Sequence, residues 1–135
     1  MISPFEEMGG EAVILAVLED LYTQLFDDVF VAFLFAGHDK ARIVREQAVF
    51  TRRMLGDRTA VYAGKSIPDA HASLPILAGH FDRRHLLLRQ TLERHAVPER
   101  PRQAWLRLDA ALRDVILKVG KVRIEELRWQ EDDGA

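Results

Sequence analysis

Cysteine is absent from the 135-residue sequence. Its absence excludes disulfide bonds, thiolate metal sites and a cysteine nucleophile. Long hydrophobic runs are also missing, since stretches such as residues 12–18 fall far short of the roughly 20 residues that a membrane-spanning helix needs. The first ten residues contain Glu6 and Glu7 and no basic residue, so we expect no signal peptide and no membrane association.

Charge of one sign is not in excess, because 19 basic and 21 acidic residues give a formal net charge of −2. This balance provides no argument for a nucleic-acid partner. The length and the 48% apolar content fit one soluble domain spanning residues 1–135, which we expect to be cytoplasmic. The sequence has no nucleotide-binding glycine motif, no serine-hydrolase motif and no zinc-protease motif.

Apolar residues recur with the helical period, and no segment alternates as a strand does. Glycine and proline separate the periodic segments, and residues 57–66 lack a pattern and are predicted to form a loop. The segment 29–35 is almost wholly apolar and is therefore expected to be buried. The sequence predicts an all-α domain with two longer antiparallel pairs and helices over residues 11–26, 29–35, 40–55, 67–74, 80–95 and 101–127.

Two polar side chains fall on apolar helix faces, Tyr22 in the first long helix and Gln47 in the third. A buried amide without a partner costs about 1–3 kcal/mol, so Gln47 needs a reason to be there. In one interpretation Gln47 bonds to a loop carbonyl and the Tyr22 hydroxyl reaches water. In the other, phenol and amide form a pair that donates to a small polar guest in an apolar chamber walled by Phe35 and Phe50.

His71 lies in a short segment after the predicted loop. A lone histidine in such a place is more often a surface or capping residue than a metal ligand. The other four histidines show no metal-site spacing with one another or with carboxylates. Spacing alone therefore leaves the role of His71 open.

Taken in order, these residues resemble the truncated haemoglobins, short globins with a 2-on-2 helical sandwich. The resemblance runs from about Phe5 to Leu117 and keeps its spacings over about sixty residues. It rests on Gly9-Gly10, Leu21-Tyr22, Phe33-Leu34-Phe35-Ala36-Gly37, Gln47, Met54-Leu55-Gly56, Tyr62-Ala63-Gly64, His71 and His80-Phe81-Asp82-Arg83. The glycine pair with Tyr22 and Gln47 is similar to group I, whereas the run at residues 80–83 is similar to group II. Arg84 departs from both groups, and an arginine that faces the distal pocket would be unusual, so an outward orientation is the alternative.

The resemblance implies a haem b cofactor whose iron is ligated by Nε2 of His71, with Nδ1–H donated to a backbone carbonyl or another acceptor. It implies Tyr22 and Gln47 as hydrogen-bond donors to a bound gas. The remaining haem contacts that it implies are Phe35, Ile43, Phe50, Met54, Tyr62 and Phe81. It places the globin core at about residues 5–119 and leaves residues 120–135 as an extension, which either continues the last helix or forms an oligomer contact in a homodimer.

Oxygen, nitric oxide and carbon monoxide are the ligands that this family resemblance implies for a five-coordinate iron. Two donors predict slow oxygen release, which suits an oxygen carrier badly. It suits gas sensing better, or the oxidation of nitric oxide to nitrate with electrons from a separate reductase. Two alternatives stay open at this point. One is a haem-free helical interaction module, in which Tyr22 and Gln47 are ordinary core residues. The other is six-coordinate resting iron with Tyr22 or a nearby histidine, such as His38, as the sixth ligand.

Overall fold

A computed structural model describes residues 2–72 and 74–133, and all of the regular structure in these ranges is helical, as predicted. None of the helices in these ranges is long and apolar enough to cross a bilayer. A short 3₁₀ helix covers Ala32–Phe35. The α-helices are α1 (Pro4–Met8), α2 (Glu11–Asp27), α3 (Lys40–Met54), α4 (Ile67–His71), α5 (Ala78–Arg94), α6 (Glu99–Ala111) and α7 (Arg113–Asp133).

Helix α2 forms the centre of the core. It packs against α3 on one side and α5 on another, and α5 packs in turn on α6. Apolar spacing predicts one buried face of this helix, and the prediction is confirmed because all of its members are buried: Ile14, Leu18, Leu21, Tyr22 and Leu25. These contacts form two helix pairs, α2 with α3 and α5 with α6, and a cavity lies between the pairs.

Local capping signals determine where the helices next to the loop begin and end. The Asp39 carboxylate accepts a hydrogen bond from the Ala41 N–H at 3.0 Å and starts α3, as its residue type predicts. Gly56 follows the end of α3 with a φ of 105°, which glycine adopts readily. The Ser66 hydroxyl accepts from the Asp69 N–H at 3.3 Å and starts α4. The loop at residues 57–66 thus runs between two well-defined helix ends.

The prediction of a buried helix over residues 29–35 is wrong. Asp28 ends α2 and accepts a hydrogen bond from the Phe30 N–H, so the chain turns before the 3₁₀ helix begins. Val31 and Leu34 are buried, whereas Val29 is 90% exposed and Phe30 and Phe33 also face outward. A tight turn directs only part of its side chains to the core, and composition alone does not show which part.

The prediction of one helix over residues 101–127 is also wrong. The chain forms α6 and α7 instead, with the break at Leu112. This break lets α6 pack on α1 and α5 while α7 packs on α4. The extension after residue 119 continues α7 as far as Asp133, as one of the two interpretations holds.

Gly120 sets the distance between α7 and the chain that follows α4. It is buried, and a Cβ atom at this position would collide with the backbone oxygen and nitrogen of Ile76. A backbone carbonyl cannot move aside as the end of a flexible side chain can. The glycine therefore allows α7 to lie directly on the segment that connects α4 to α5.

We expect Gly120→Ala to destabilise the fold, because overpacking costs about 1–3 kcal/mol and here meets backbone. This cost exceeds the gain in helix propensity of up to about 1 kcal/mol. The measurement is the urea midpoint of unfolding. Gly79→Ala is the matched control, since Gly79 lies in α5 with open space around it and its replacement should raise the midpoint. Equal midpoints for the two variants would contradict this view of the α7 contact.

Candidate functional site

A cavity lies between the helix pairs and encloses about 980 Å³ of space free of protein atoms, including the part that opens to solvent. Most of the wall is apolar or aromatic. The side chains that line it include Tyr22, Leu25, Phe35, Gln47, Phe50, Met54, His71, His80, Phe81, Arg84, Trp105, Leu108, Asp109 and Ile116.

His71, the last residue of α4, lies half-buried in this wall. Its Nδ1 is 2.7 Å from the carbonyl oxygen of Ile67. A carbonyl oxygen can only accept, so Nδ1 carries the proton and the lone pair is on Nε2. Burial lowers the pKa of His71, and the charge of Arg84 lowers it further, although the bond to Ile67 opposes both. The ring is therefore neutral at neutral pH and has the tautomer that a metal ligand needs.

His80 also lines the cavity but has the opposite tautomer. The Leu77 N–H donates to its Nδ1 at 3.0 Å, so a neutral His80 ring carries its proton on Nε2 and offers no free lone pair. The remaining three histidines do not line the cavity, and His38 among them is exposed. Of the two side chains considered as a sixth iron ligand, only Tyr22 thus lies in the wall.

Tyr22 is 3% exposed, and its hydroxyl oxygen accepts a hydrogen bond from Arg84 at 3.1 Å. Its ring packs edge-on against Phe35, with the ring centres 5.9 Å apart. The hydroxyl therefore does not reach water, contrary to one of the two interpretations. Gln47 lines the same cavity, and within the described ranges its amide has no hydrogen-bond partner, either at Tyr22 or at a loop carbonyl.

Arg84 points into the cavity, so the outward orientation is excluded. It donates to Asp109 Oδ1 at 2.7 Å, and Asp109 Oδ2 is 2.7 Å from His85 Nδ1. The side chains of Arg84 and Asp109 are 22% and 8% exposed. Burial raises the pKa of Asp109, but Arg84 and His85 outweigh burial and hold this pKa below its usual value. Burial also opposes the charge on Arg84, and the interactions with Tyr22 and Asp109 outweigh it and raise the arginine pKa.

The cavity brings together seven of the nine residues predicted for the site: Tyr22, Phe35, Gln47, Phe50, Met54, His71 and Phe81. Ile43 and Tyr62 lie outside its wall. Ile43 packs against the core, while Tyr62 packs edge-on against Phe50 and donates its hydroxyl to the Lys65 carbonyl at 2.7 Å. Tyr62 thus supports the wall from behind.

Sequence reasoning missed part of the wall that α5, α6 and α7 contribute. Trp105, Leu108 and Ile116 recur with the helical period in the segment predicted as the last helix, so the period gave a usable signal. Asp109 gave none, because a single aspartate in a helix is usually exposed. His80 was noted only as the start of a helix.

A helical sandwich around a histidine-bearing apolar cavity defines the globin class. The family model of the bacterial-like globins matches residues 3–118, and the chain belongs to this family. It is 27% identical to the group 1 truncated haemoglobin GlbN of Nostoc sp. (strain MUN 8820) over 82 residues, which cover 61% of this chain and 69% of that protein.

Solved structures show the same fold. The 2/2 haemoglobin of Synechococcus sp. PCC 7002 has a TM-score of 0.80 at 24% identity, covering 87% of this chain and 99% of that one. The truncated haemoglobin of Tetrahymena pyriformis in its Fe(III) form has a TM-score of 0.78 at 24% identity, covering 86% and 98%. The group II truncated haemoglobin of Bacillus anthracis has a TM-score of 0.76 at 18% identity, covering 87% and 92%.

The chain is accordingly a haem-binding globin with the 2-on-2 fold, as the sequence predicts. The residues present fit the cofactor. The cavity has mainly apolar walls, and His71 in its wall presents a ring nitrogen with a lone pair. The haem-free interaction module is therefore wrong for this chain, because the family match and the cavity both point to a cofactor protein.

Asp109→Asn should destabilise the protein at pH 7 by up to about 3 kcal/mol, because it leaves the half-buried charge of Arg84 without its counter-ion. A carboxylate with a lowered folded-state pKa stabilises the fold above its usual pKa of 3.8, and this contribution is lost as pH falls through the lower folded-state value. The difference in unfolding free energy between wild type and variant should therefore shrink on acidification, as denaturant titrations at pH 7 and about pH 3 would measure.

Asp82→Asn is the control for this comparison. Asp82 forms a surface ion pair with Arg113 at 2.9 Å and is exposed, so solvent screens its charge. Its replacement should change stability much less at pH 7. A wild-type-to-Asp109→Asn difference that stays constant with pH would show that the carboxylate charge does not stabilise the fold.

Proposed function

We propose that the chain holds haem b through Nε2 of His71 and binds O₂, with NO and CO as further ligands, on the side of the cavity that contains Tyr22 and Gln47. The observation that carries this proposal is the tautomer of His71 in the wall of a large apolar cavity. When bound, haem supplies an iron that coordinates diatomic gases, and with one protein ligand its sixth position is open.

The polar groups in the cavity support a role in gas binding. The hydroxyl oxygen of Tyr22 accepts from Arg84, so its own O–H hydrogen is left to donate to a guest. The Gln47 amide has no partner in the described part of the chain, and its N–H groups supply a second donor. A hydrogen bond to a charged group contributes about 1.5–3 kcal/mol, so both donors slow the release of a ligand that takes on negative charge.

Slow release favours a reaction of the gas over its transport. We propose oxidation of nitric oxide to nitrate by O₂ as this reaction. Repeated turnover needs an electron donor, and the sequence contains no nicotinamide-binding motif. A separate reductase would supply the electrons. Within this scheme Tyr22 and Gln47 hold the oxygen ligand, while the apolar walls admit the second gas.

His71→Gly should lose the histidine-ligated haem spectrum. Haemin-reconstituted wild type should show a Soret band of ligated haem, the variant should weaken or shift it, and added imidazole should restore it by filling the place of the missing ring. His80→Asn is the matched control, since asparagine keeps an acceptor for the Leu77 N–H and His80 has the wrong tautomer for a ligand. A His71→Gly spectrum identical to wild type would refute the ligand assignment.

Tyr22→Phe should speed O₂ dissociation by roughly tenfold to a hundredfold, which is one charge-assisted hydrogen bond expressed as a rate. Stopped-flow ligand replacement measures this rate. The CO dissociation rate should change much less, because CO takes on less charge. Tyr62→Phe removes a hydroxyl that bonds to Lys65 outside the cavity wall and should leave both rates unchanged. An O₂ rate unaffected by Tyr22→Phe would remove this residue from the proposal.

A further inference from the structure

We infer that Arg84 and Tyr22 form an anion subsite within the haem cavity, which makes the site selective for small hydrogen-bond-accepting anions such as fluoride, azide or nitrite. The inference rests on the proposed function, because the anion is held next to the haem. It adds a specificity that the gas-binding role does not require.

The guanidinium of Arg84 is fixed from two sides. Asp109 on α6 accepts from one terminal nitrogen at 2.7 Å, and Tyr22 on α2 accepts from the other at 3.1 Å. The guanidinium carbon also lies 5.6 Å from the centre of the Tyr22 ring, within the range of a cation–π contact. A group that is held by two helices besides its own keeps its position when a guest enters. Binding therefore costs little side-chain conformational entropy.

Unused donors remain on both residues. A guanidinium carries more N–H groups than the two contacts engage, and it stays protonated at all accessible pH values. Tyr22 uses its oxygen as the acceptor for Arg84 and keeps its own hydrogen. Arg84 and Tyr22 are hydrogen-bonded to each other and both line the cavity, so the proposed subsite lies where these two residues meet.

The counter-charge of Arg84 is Asp109, and this carboxylate is bound on both of its oxygens. Asp109 uses Oδ1 for Arg84 and Oδ2 for His85, so both carboxylate oxygens face protein partners. Arg84 and Asp109 are the two residues of opposite formal charge among the lining residues described, and the rest of the wall is mainly apolar. In such surroundings a charged donor is worth more than in water. An anion gains from this donor, whereas a neutral ligand such as CO gains little.

The test compares fluoride binding to the ferric holoprotein with CO binding to the ferrous holoprotein, both by equilibrium optical titration. Arg84→Met removes the charge but keeps an extended side chain. It should weaken fluoride binding by roughly tenfold to a hundredfold, the loss of one charge-assisted hydrogen bond, and change CO affinity by much less. Arg83→Met is the control, because Arg83 pairs with Asp28 at 2.7 Å outside the cavity wall and its loss should leave both affinities unchanged.

A second variant covers the case in which Arg84→Met does not fold because Asp109 is left unpaired. Arg84→Met/Asp109→Asn removes both charges and should show the same selective loss of fluoride affinity. Unchanged fluoride binding in a haem-loaded Arg84 variant, or an equal loss of fluoride and CO affinity, would overturn the subsite. Failure of the wild type to take up haemin would instead refute the proposed function and the subsite with it, so the two failures are distinguishable.

Discussion

The hydrogen bond from His71 Nδ1 to the Ile67 carbonyl decides what this cavity can hold. It joins the two ends of one short helix, and this helix depends on Ser66 at its start. Gly120 lets α7 close over the chain that follows. These local features hold the imidazole in the cavity wall with its basic nitrogen free. A change of tautomer would leave the same fold without a metal ligand.

The cavity combines this ligand with a polar cluster in an otherwise mainly apolar wall. Tyr22, Arg84 and Asp109 connect three helices by hydrogen bonds within an otherwise apolar space. Buried ion pairs often add little net stability, because desolvation offsets their attraction. Their value here is positional, since a chain of short contacts holds the phenol and the guanidinium at defined places. The proposed binding selectivity depends on this positioning.

The sequence predicts most of the fold because the main helices have clear periods and caps. Asp39 and Gly56 mark α3, and the buried face of α2 follows from spacing alone. The break at Leu112 was not predictable, because neither glycine nor proline marks it. The prediction that residues 29–35 are buried failed for a related reason, since apolar composition does not reveal a tight turn.

The family resemblance identified His71, whose role spacing alone leaves open. The orientation of Arg84 was not predictable, because a partner distant in sequence determines it. His71 finds its acceptor four residues away on the same helix. Arg84 turns inward because Asp109, 25 residues later, receives it. Asp109 lies in the last turn of α6, where the helix dipole places partial negative charge and a carboxylate is unfavourable. Arg84 and His85, both on α5, offset this unfavourable interaction by binding the Asp109 carboxylate. The charge at the end of α6 thus favours the packing of α6 against α5 beside the cavity.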